Sequence, residues 1–114
     1  MGNFISEDIS VDDMAKIAIA VYWIVDEFPI CMINKKTRKG VRVERGQVID
    51  ENYTGPILTD ALDQNTVVHD KPTDGPYKGV PVIASPVRNS AGEAVASIGV
   101  IDLRHAMGGP RGRF

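Results

Sequence analysis

The stretch Gly79-Val80-Pro81-Val82-Ile83-Ala84-Ser85-Pro86-Val87-Arg88-Asn89-Ser90-Ala91-Gly92-Glu93-Ala94-Val95-Ala96-Ser97-Ile98-Gly99-Val100 decides the fold. Two apolar runs flank Asn89-Ser90-Ala91-Gly92, a turn of hairpin chemistry. The pair reads as antiparallel strands. Pro81 and Pro86 each remove a ladder donor, so part of the first strand belongs at an edge or a bulge. The second strand, residues 93–102, carries small residues on both faces. It reads as a central strand covered closely on both sides.

Working outward, Asp70 to Lys78 is a loop by its Pro, Gly and Asp content. Thr66-Val67-Val68-His69 before it reads as a strand. Gly55-Pro56 opens a helix, with proline in the first turn. Ile57, Leu58, Ala61 and Leu62 form the apolar face of that helix. Asp50 to Thr54 reads as a turn, and Arg45-Gly46 as a bend before Gln47-Val48-Ile49. Ile30 to Asn34 and Val41 to Glu44 are strands joined by the polar turn Lys35 to Gly40, most simply a hairpin. At the start, Ser10 caps a helix whose first turn holds Asp12 and Asp13. Met14, Ile17, Ala18, Val21, Val25 and Phe28 recur at helical spacing, and Pro29 ends the run.

The expected fold is α+β: a single, mostly antiparallel five-stranded sheet with helices packed on it. Residues 1–10 read as an N-terminal extension and 11–104 as one domain. Residues 105–114 lack periodicity and read as a disordered tail.

The totals narrow the function classes. At 114 residues and 43% hydrophobic content, the chain suits one globular domain. Area scaling buries roughly two-thirds of the extended surface, enough for a core without staples. Thirteen basic and fifteen acidic residues leave a net charge of −2, against a generic nucleic-acid binder. Cys31 is the sole cysteine, so an internal disulfide framework and a multi-cysteine zinc site are excluded. No zinc, calcium or magnesium spacing is present, and no cofactor is expected. The longest apolar run, Ile17 to Val25, is less than half of the about twenty residues a membrane span needs. A free thiol and the lack of a secretory start point to the cytoplasm.

Two resemblances follow. The order of elements and the closing hairpin resemble PAS, Cache and profilin-like sensory domains. More specifically, three segments resemble a family of small archaeal proteins of unknown function, found largely in methanogens. They are Gly40-Val41-Arg42-Val43-Glu44, Asp50-Glu51-Asn52-Tyr53-Thr54-Gly55-Pro56 and Gly75-Pro76-Tyr77-Lys78-Gly79-Val80-Pro81-Val82. With the last hairpin they cover residues 12 to 103. That resemblance implies a compact domain and assigns no reaction.

The candidate ligand-binding residues are Arg42, Tyr53, Thr54, Asp60, Thr73, Tyr77 and Lys78. They combine two Gly-Pro turns with aromatic, hydroxyl and charged groups. An inward Arg42 offers a carboxylate two parallel bonds. The basic run Lys35, Lys36, Arg38, Lys39, Arg42 and Arg45 is either an anion-attracting patch or a solvated hairpin that discourages edge pairing. Cys31 with His69 or His105 is formally a nucleophile and base, but a thiol inside an apolar strand is usually inert packing. No catalytic residue and no metal ligand is assigned.

The favoured function is a non-catalytic small-ligand or signal-sensing domain. It acts as a homodimer or with an unknown output protein, without nucleic acid or membrane. Val21, Trp23 and Ile24 on the first helix are the expected interface. The alternatives are an assembly module, or an enzyme on an anionic metabolite with Arg42 or Lys78 holding the anion and Asp60 or His69 as base.

Overall fold

The computed structural model describes residues 5–103. The elements run α1 (Val11–Ile24), β1 (Ile30–Asn34), β2 (Gly40–Glu44), β3 (Gln47–Tyr53), α2 (Pro56–Gln64), β4 (Val68–Asp70), β5 (Val82–Arg88) and β6 (Ala94–Ile101). The strands form one sheet in the order β3-β2-β1-β6-β5-β4, and every pairing is antiparallel. The α+β reading therefore holds, with six strands instead of five.

The additional strand is β3. Asp50 to Tyr53, within the stretch whose polarity reads as a turn, continues the strand begun at Gln47. It is an edge strand with mostly exposed side chains, so polar residues cost nothing there and discourage further pairing. Irregular pairing around Arg42 lets β3 follow β2 despite a broken apolar pattern.

Three other boundaries shift. The first helix stops at Ile24 instead of Phe28, because Asp26 and Glu27 adopt left-handed backbone and reverse the chain before Pro29. The strand expected over 79–88 begins at Val82. Residues 79 and 80 belong to the preceding turn, where the Gly79 N–H donates to the Pro72 carbonyl. The strand expected over 66–69 is Val68–Asp70. Short β4 pairs only with Val82 to Ala84, leaving Ser85 to Arg88 on an open edge. Pro86 lies in that open stretch, and an irregularity follows at Val87 and Arg88. The edge-or-bulge expectation for this strand is met there.

Side chains alternate across the sheet, so the register sorts them. Ile30, Met32, Val41, Val43, Ile98 and Val100 share one face. Cys31, Ile33, Arg42, Glu44, Ser97 and Gly99 share the other. Helix α1 seats Met14, Ala18 and Tyr22 on the first face, over β1 and β2. Helix α2 seats Ile57, Leu58, Ala61 and Leu62 on the second face, over β4, β5 and β6. Each large aliphatic side chain buried this way contributes about 1.5–3 kcal/mol. Ser97 donates from Oγ to the Leu58 carbonyl at 2.8 Å, tying α2 to central β6. The result is three layers in which each helix covers half of one face. The uncovered halves lie diagonally opposite: β1-β2-β3 on the α2 side, and β6-β5-β4 on the α1 side.

Residues 5–10 are joined to this body. Ile9 is buried in the α1 cluster, and its carbonyl accepts from the Asn34 side chain at 2.9 Å. The tail expected over 105–114, with His105, Arg111 and Arg113, lies outside the described residues. No helix among the described residues is long and apolar enough to cross a membrane.

Candidate functional site

Arg42 occupies the uncovered half of the α2 face. It pairs with Cys31 on β1 and with Asp50 on β3. The alternation Val41-Arg42-Val43-Glu44 buries both valines under α1 and sends Arg42 and Glu44 to this opposite face. Their ion pair is loose, with both Arg42 Nε and Arg42 Nη2 at 3.4 Å from Glu44 Oε2.

Tyr77 completes the group from the loop 71–81 between β4 and β5. Its hydroxyl donates to Glu44 Oε2 at 2.5 Å and accepts from Arg42 Nε at 3.0 Å. The Arg42 guanidinium carbon lies 5.2 Å from the Tyr77 ring centre. Gly75 and Gly79 bracket Tyr77 with positive φ, the conformation that lets the loop turn twice within five residues. The Tyr77 side chain is buried, although its neighbours Pro76 and Lys78 are exposed.

Tyr53 stands behind Tyr77, with ring centres 6.5 Å apart. It folds back over the Gly-Pro turn: a Cβ on Gly55 would lie 2.5 Å from the Tyr53 hydroxyl. That hydroxyl meets the Cys31 thiol. Burial pushes the Cys31 thiol up to about 12, so it stays protonated and poorly nucleophilic at neutral pH. Burial likewise raises both tyrosines, with Cys31 adding to the shift at Tyr53 and the Glu44 bond adding to that at Tyr77. Burial opposes the charge on Arg42, but Tyr77 and Glu44 outweigh it and the net direction is up. Arg42 is a fixed cation.

The structure thus brings together Arg42, Tyr53 and Tyr77 of the expected ligand residues. Thr54, Thr73 and Lys78 are exposed, and Asp60 is half-buried on α2. Among the described residues, none of these four bonds to Arg42, Tyr53 or Tyr77. Glu44, Cys31 and Asp50 also belong to the neighbourhood; none of them was among the expected ligand residues, and Cys31 was weighed only as a nucleophile. For Glu44 the signal was present, because positions 42 and 44 of a strand share a face.

Other expected pairings are not formed. His69 stands opposite Ile83, on the α1 face of β4. Arg42 and Cys31 lie on the other face and at least three strand spacings away, about 14 Å. The basic hairpin is divided: Arg38 pairs with Asp63 at 2.6 Å on the surface, whereas Arg42 turns inward. No group of three or more His, Cys, Asp or Glu suited to a metal ion occurs among the described residues.

Comparison with known proteins agrees with the archaeal resemblance. The chain is 38% identical over 99 residues to the uncharacterized protein MJ0405 of Methanocaldococcus jannaschii, covering 87% of this chain and 74% of that one. No solved structure matches. The model of a family described as an uncharacterized protein conserved in archaea, DUF2111, matches residues 21–104, and the chain belongs to that family.

Proposed function

We propose that the domain is a non-catalytic binder of a small anion, taken up at Arg42 and read out through the loop 71–81. One observation carries this reading. Arg42 is held mainly by a tyrosine hydroxyl at 3.0 Å, while the nearest carboxylate oxygen of its own chain stays at 3.4 Å. A ligand carboxylate or phosphate gives a guanidinium shorter, charge-assisted bonds of about 2.7–2.9 Å. Such a ligand competes for Arg42 with Tyr77 and displaces the loop that carries it. Binding at Arg42 becomes a change of surface at residues 71–81, where an output protein reads it.

The helix-flanked antiparallel sheet and closing hairpin fit a sensory domain of the PAS, Cache or profilin-like type. A cytoplasmic setting fits the buried free thiol.

The test is a thermal-shift series with inorganic phosphate and small mono- and dicarboxylates. A ligand at 100 times its Kd stabilises by about 2.7 kcal/mol. The expected result is a midpoint rise with at least one of these anions that R42A abolishes and Y77F retains. No rise with any of them, or a rise that persists in R42A, overturns the reading.

A further inference from the structure

Arg42 is outnumbered by carboxylates. Glu44 stands two residues along β2 on the same face, and Asp50 is the cross-strand partner of Arg42 on β3. Asp50 is half-buried, and its charge helps to raise both the Cys31 thiol and the Tyr53 hydroxyl, so it acts in the same neighbourhood. One fixed cation therefore faces two acidic side chains. A ligand whose only charge is negative is attracted by Arg42 and repelled by Glu44 and Asp50.

Glu44 loses most when such a ligand enters. Its side chain is 22% exposed and that of Arg42 is 24% exposed. Every hydrogen bond that Glu44 accepts among the described residues comes from Arg42 or Tyr77, and all of them end on Oε2. An anion that takes Arg42 and displaces Tyr77 weakens or removes these bonds together. A part-buried carboxylate is then left short of donors, which costs more than for a neutral group. The bound state is balanced when the ligand brings a donor of its own. A cationic donor serves best, because it also offsets the charge of Asp50.

We infer that the ligand is an α-amino acid, its carboxylate pairing with Arg42 and its ammonium replacing Tyr77 as the donor to Glu44. The inference rests on the anion-binding reading of Arg42 and narrows it from any small anion to a zwitterion. The strand sets the spacing. Arg42 Nη2 and Glu44 Oε2 are 3.4 Å apart, so the two protein charges stand side by side. In an α-amino acid a single carbon joins carboxylate to ammonium, and the two ligand charges stand side by side as well. The guanidinium offers the carboxylate a fork of donors, and the ammonium has protons for more than one acceptor. Phosphate and dicarboxylates supply the first pairing without the second.

Tyr53 provides the rest of the site. It belongs to β3 and meets the Cys31 thiol, so it is not carried away with the loop 71–81. Its ring, 6.5 Å from that of Tyr77, stays beside the site as an apolar surface for the ligand's side chain.

The test is isothermal titration calorimetry of the full chain with matched pairs. Each common α-amino acid is compared with the acid that lacks the amino group, as alanine with propionate and glutamate with glutarate. At least one α-amino acid should bind about tenfold to a hundredfold tighter than its matched acid, the range for a hydrogen bond to a charged group. E44Q should remove that preference, and R42A should weaken both members of the pair. γ-Aminobutyrate, whose charges are farther apart, should gain nothing over butyrate. The wild-type comparisons need no variant, and each preference is taken within one protein, so altered stability of E44Q does not enter it. Matched acids that bind as tightly as every α-amino acid overturn the inference. So does a preference that E44Q leaves intact, or a γ-aminobutyrate that gains as much as the α-amino acids. If R42A still abolishes binding in those cases, the anion-binding reading stands without this inference. Binding that R42A does not weaken, or no binding by any compound, overturns that reading and the inference with it.

Discussion

The Tyr77 hydroxyl donates to Glu44 Oε2 at 2.5 Å, although the two residues are 33 positions apart in sequence. Tyr77 belongs to the β4–β5 connection, at one edge of the sheet, and Glu44 to β2, near the other. The loop must therefore reach back past β6 and β1, about 14 Å. Eleven residues at about 3.3 Å each are long enough to do so. The loop's other bonds shape its turns, from Lys78 N–H to the Gly75 carbonyl, Gly79 N–H to the Pro72 carbonyl and Val80 N–H to the Tyr77 carbonyl, while Asp102 N–H to the Pro81 carbonyl fixes only its far end. Two charge-assisted hydrogen bonds at the Tyr77 hydroxyl, to Glu44 and from Arg42, and one buried ring anchor the middle of the loop to the sheet.

Tyr77→Phe keeps the ring and removes the anchor. The expected loss is about 1.5–3 kcal/mol, the range for a hydrogen bond to a charged partner, measured by urea unfolding. The loss should be local in character as well. Hydrogen exchange at residues 77–80 should accelerate, while β6 and β1 stay protected. Equal acceleration across the sheet would assign Tyr77 to the global core instead of the loop.

Alkaline pH should weaken the fold in a defined window. An unfolded cysteine releases its proton near 9, whereas buried Cys31 holds its own until about 12. Below pH 9 both states are protonated and the full contribution is present. As pH rises through that window the unfolded chain binds fewer protons than the folded one, so stability falls. Tyr53 and Tyr77, both shifted up from 10, act in the same direction. Each group adds at most about 1.4 kcal/mol per pH unit. Unfolding free energies at pH 8 to 11 should therefore decline, and C31A should decline less steeply whatever its starting stability. An unchanged slope in C31A would show that the thiol is not the protected proton site.

The first helix offers a local test. Ser10 Oγ accepts from the Asp13 N–H at 3.0 Å, as the capping pattern in the sequence anticipates. Ser10→Ala should cost about 1 kcal/mol by denaturant titration, while Ser10→Asp should restore most of it. A neutral Ser10→Ala would mean that residues 5–10, through Ile9, hold the helix start without the cap.

What the sequence showed well was local. The last hairpin, the β1–β2 hairpin, the capped first helix and the Gly-Pro start of α2 each follow from spacing within a dozen residues. β3 escaped because an exposed edge strand has no apolar pattern to display, and Asp50-Glu51-Asn52 resembles turn chemistry. The early end of α1 escaped because Pro29 gives only the last position a helix can reach; Asp26 and Glu27 turn the chain sooner. Arg42 and Glu44 were readable as neighbours on one strand face. Their meeting with Tyr77 was not, because it depends on the order of strands across the sheet. The same dependence put His69 on the face away from Arg42, since a strand's side chains change face with every residue.

Gly40 shows how tightly that strand order is enforced. It pairs with Ile33 on β1 and with Tyr53 on β3, at the head of β2. A Cβ there would lie 1.8 Å from the Met32 carbonyl oxygen and 2.9 Å from the Ile33 Cα. Those are backbone atoms of a neighbouring strand, so no rotamer change relieves the clash. Gly40→Ala must push β2 from β1 or shift the register, which also moves Arg42 from Tyr77. The expected cost is about 3 kcal/mol or more, at the upper end of overpacking penalties. Gly92→Ala is the contrast: its φ of +84° strains alanine, but a Cβ there meets nothing within 4 Å. Its cost should stay near the roughly 1–2 kcal/mol of left-handed strain. Urea midpoints for the two variants decide the matter. If Gly40→Ala proved as mild as Gly92→Ala, the β1–β2 register, and with it the placement of Arg42, would be wrong.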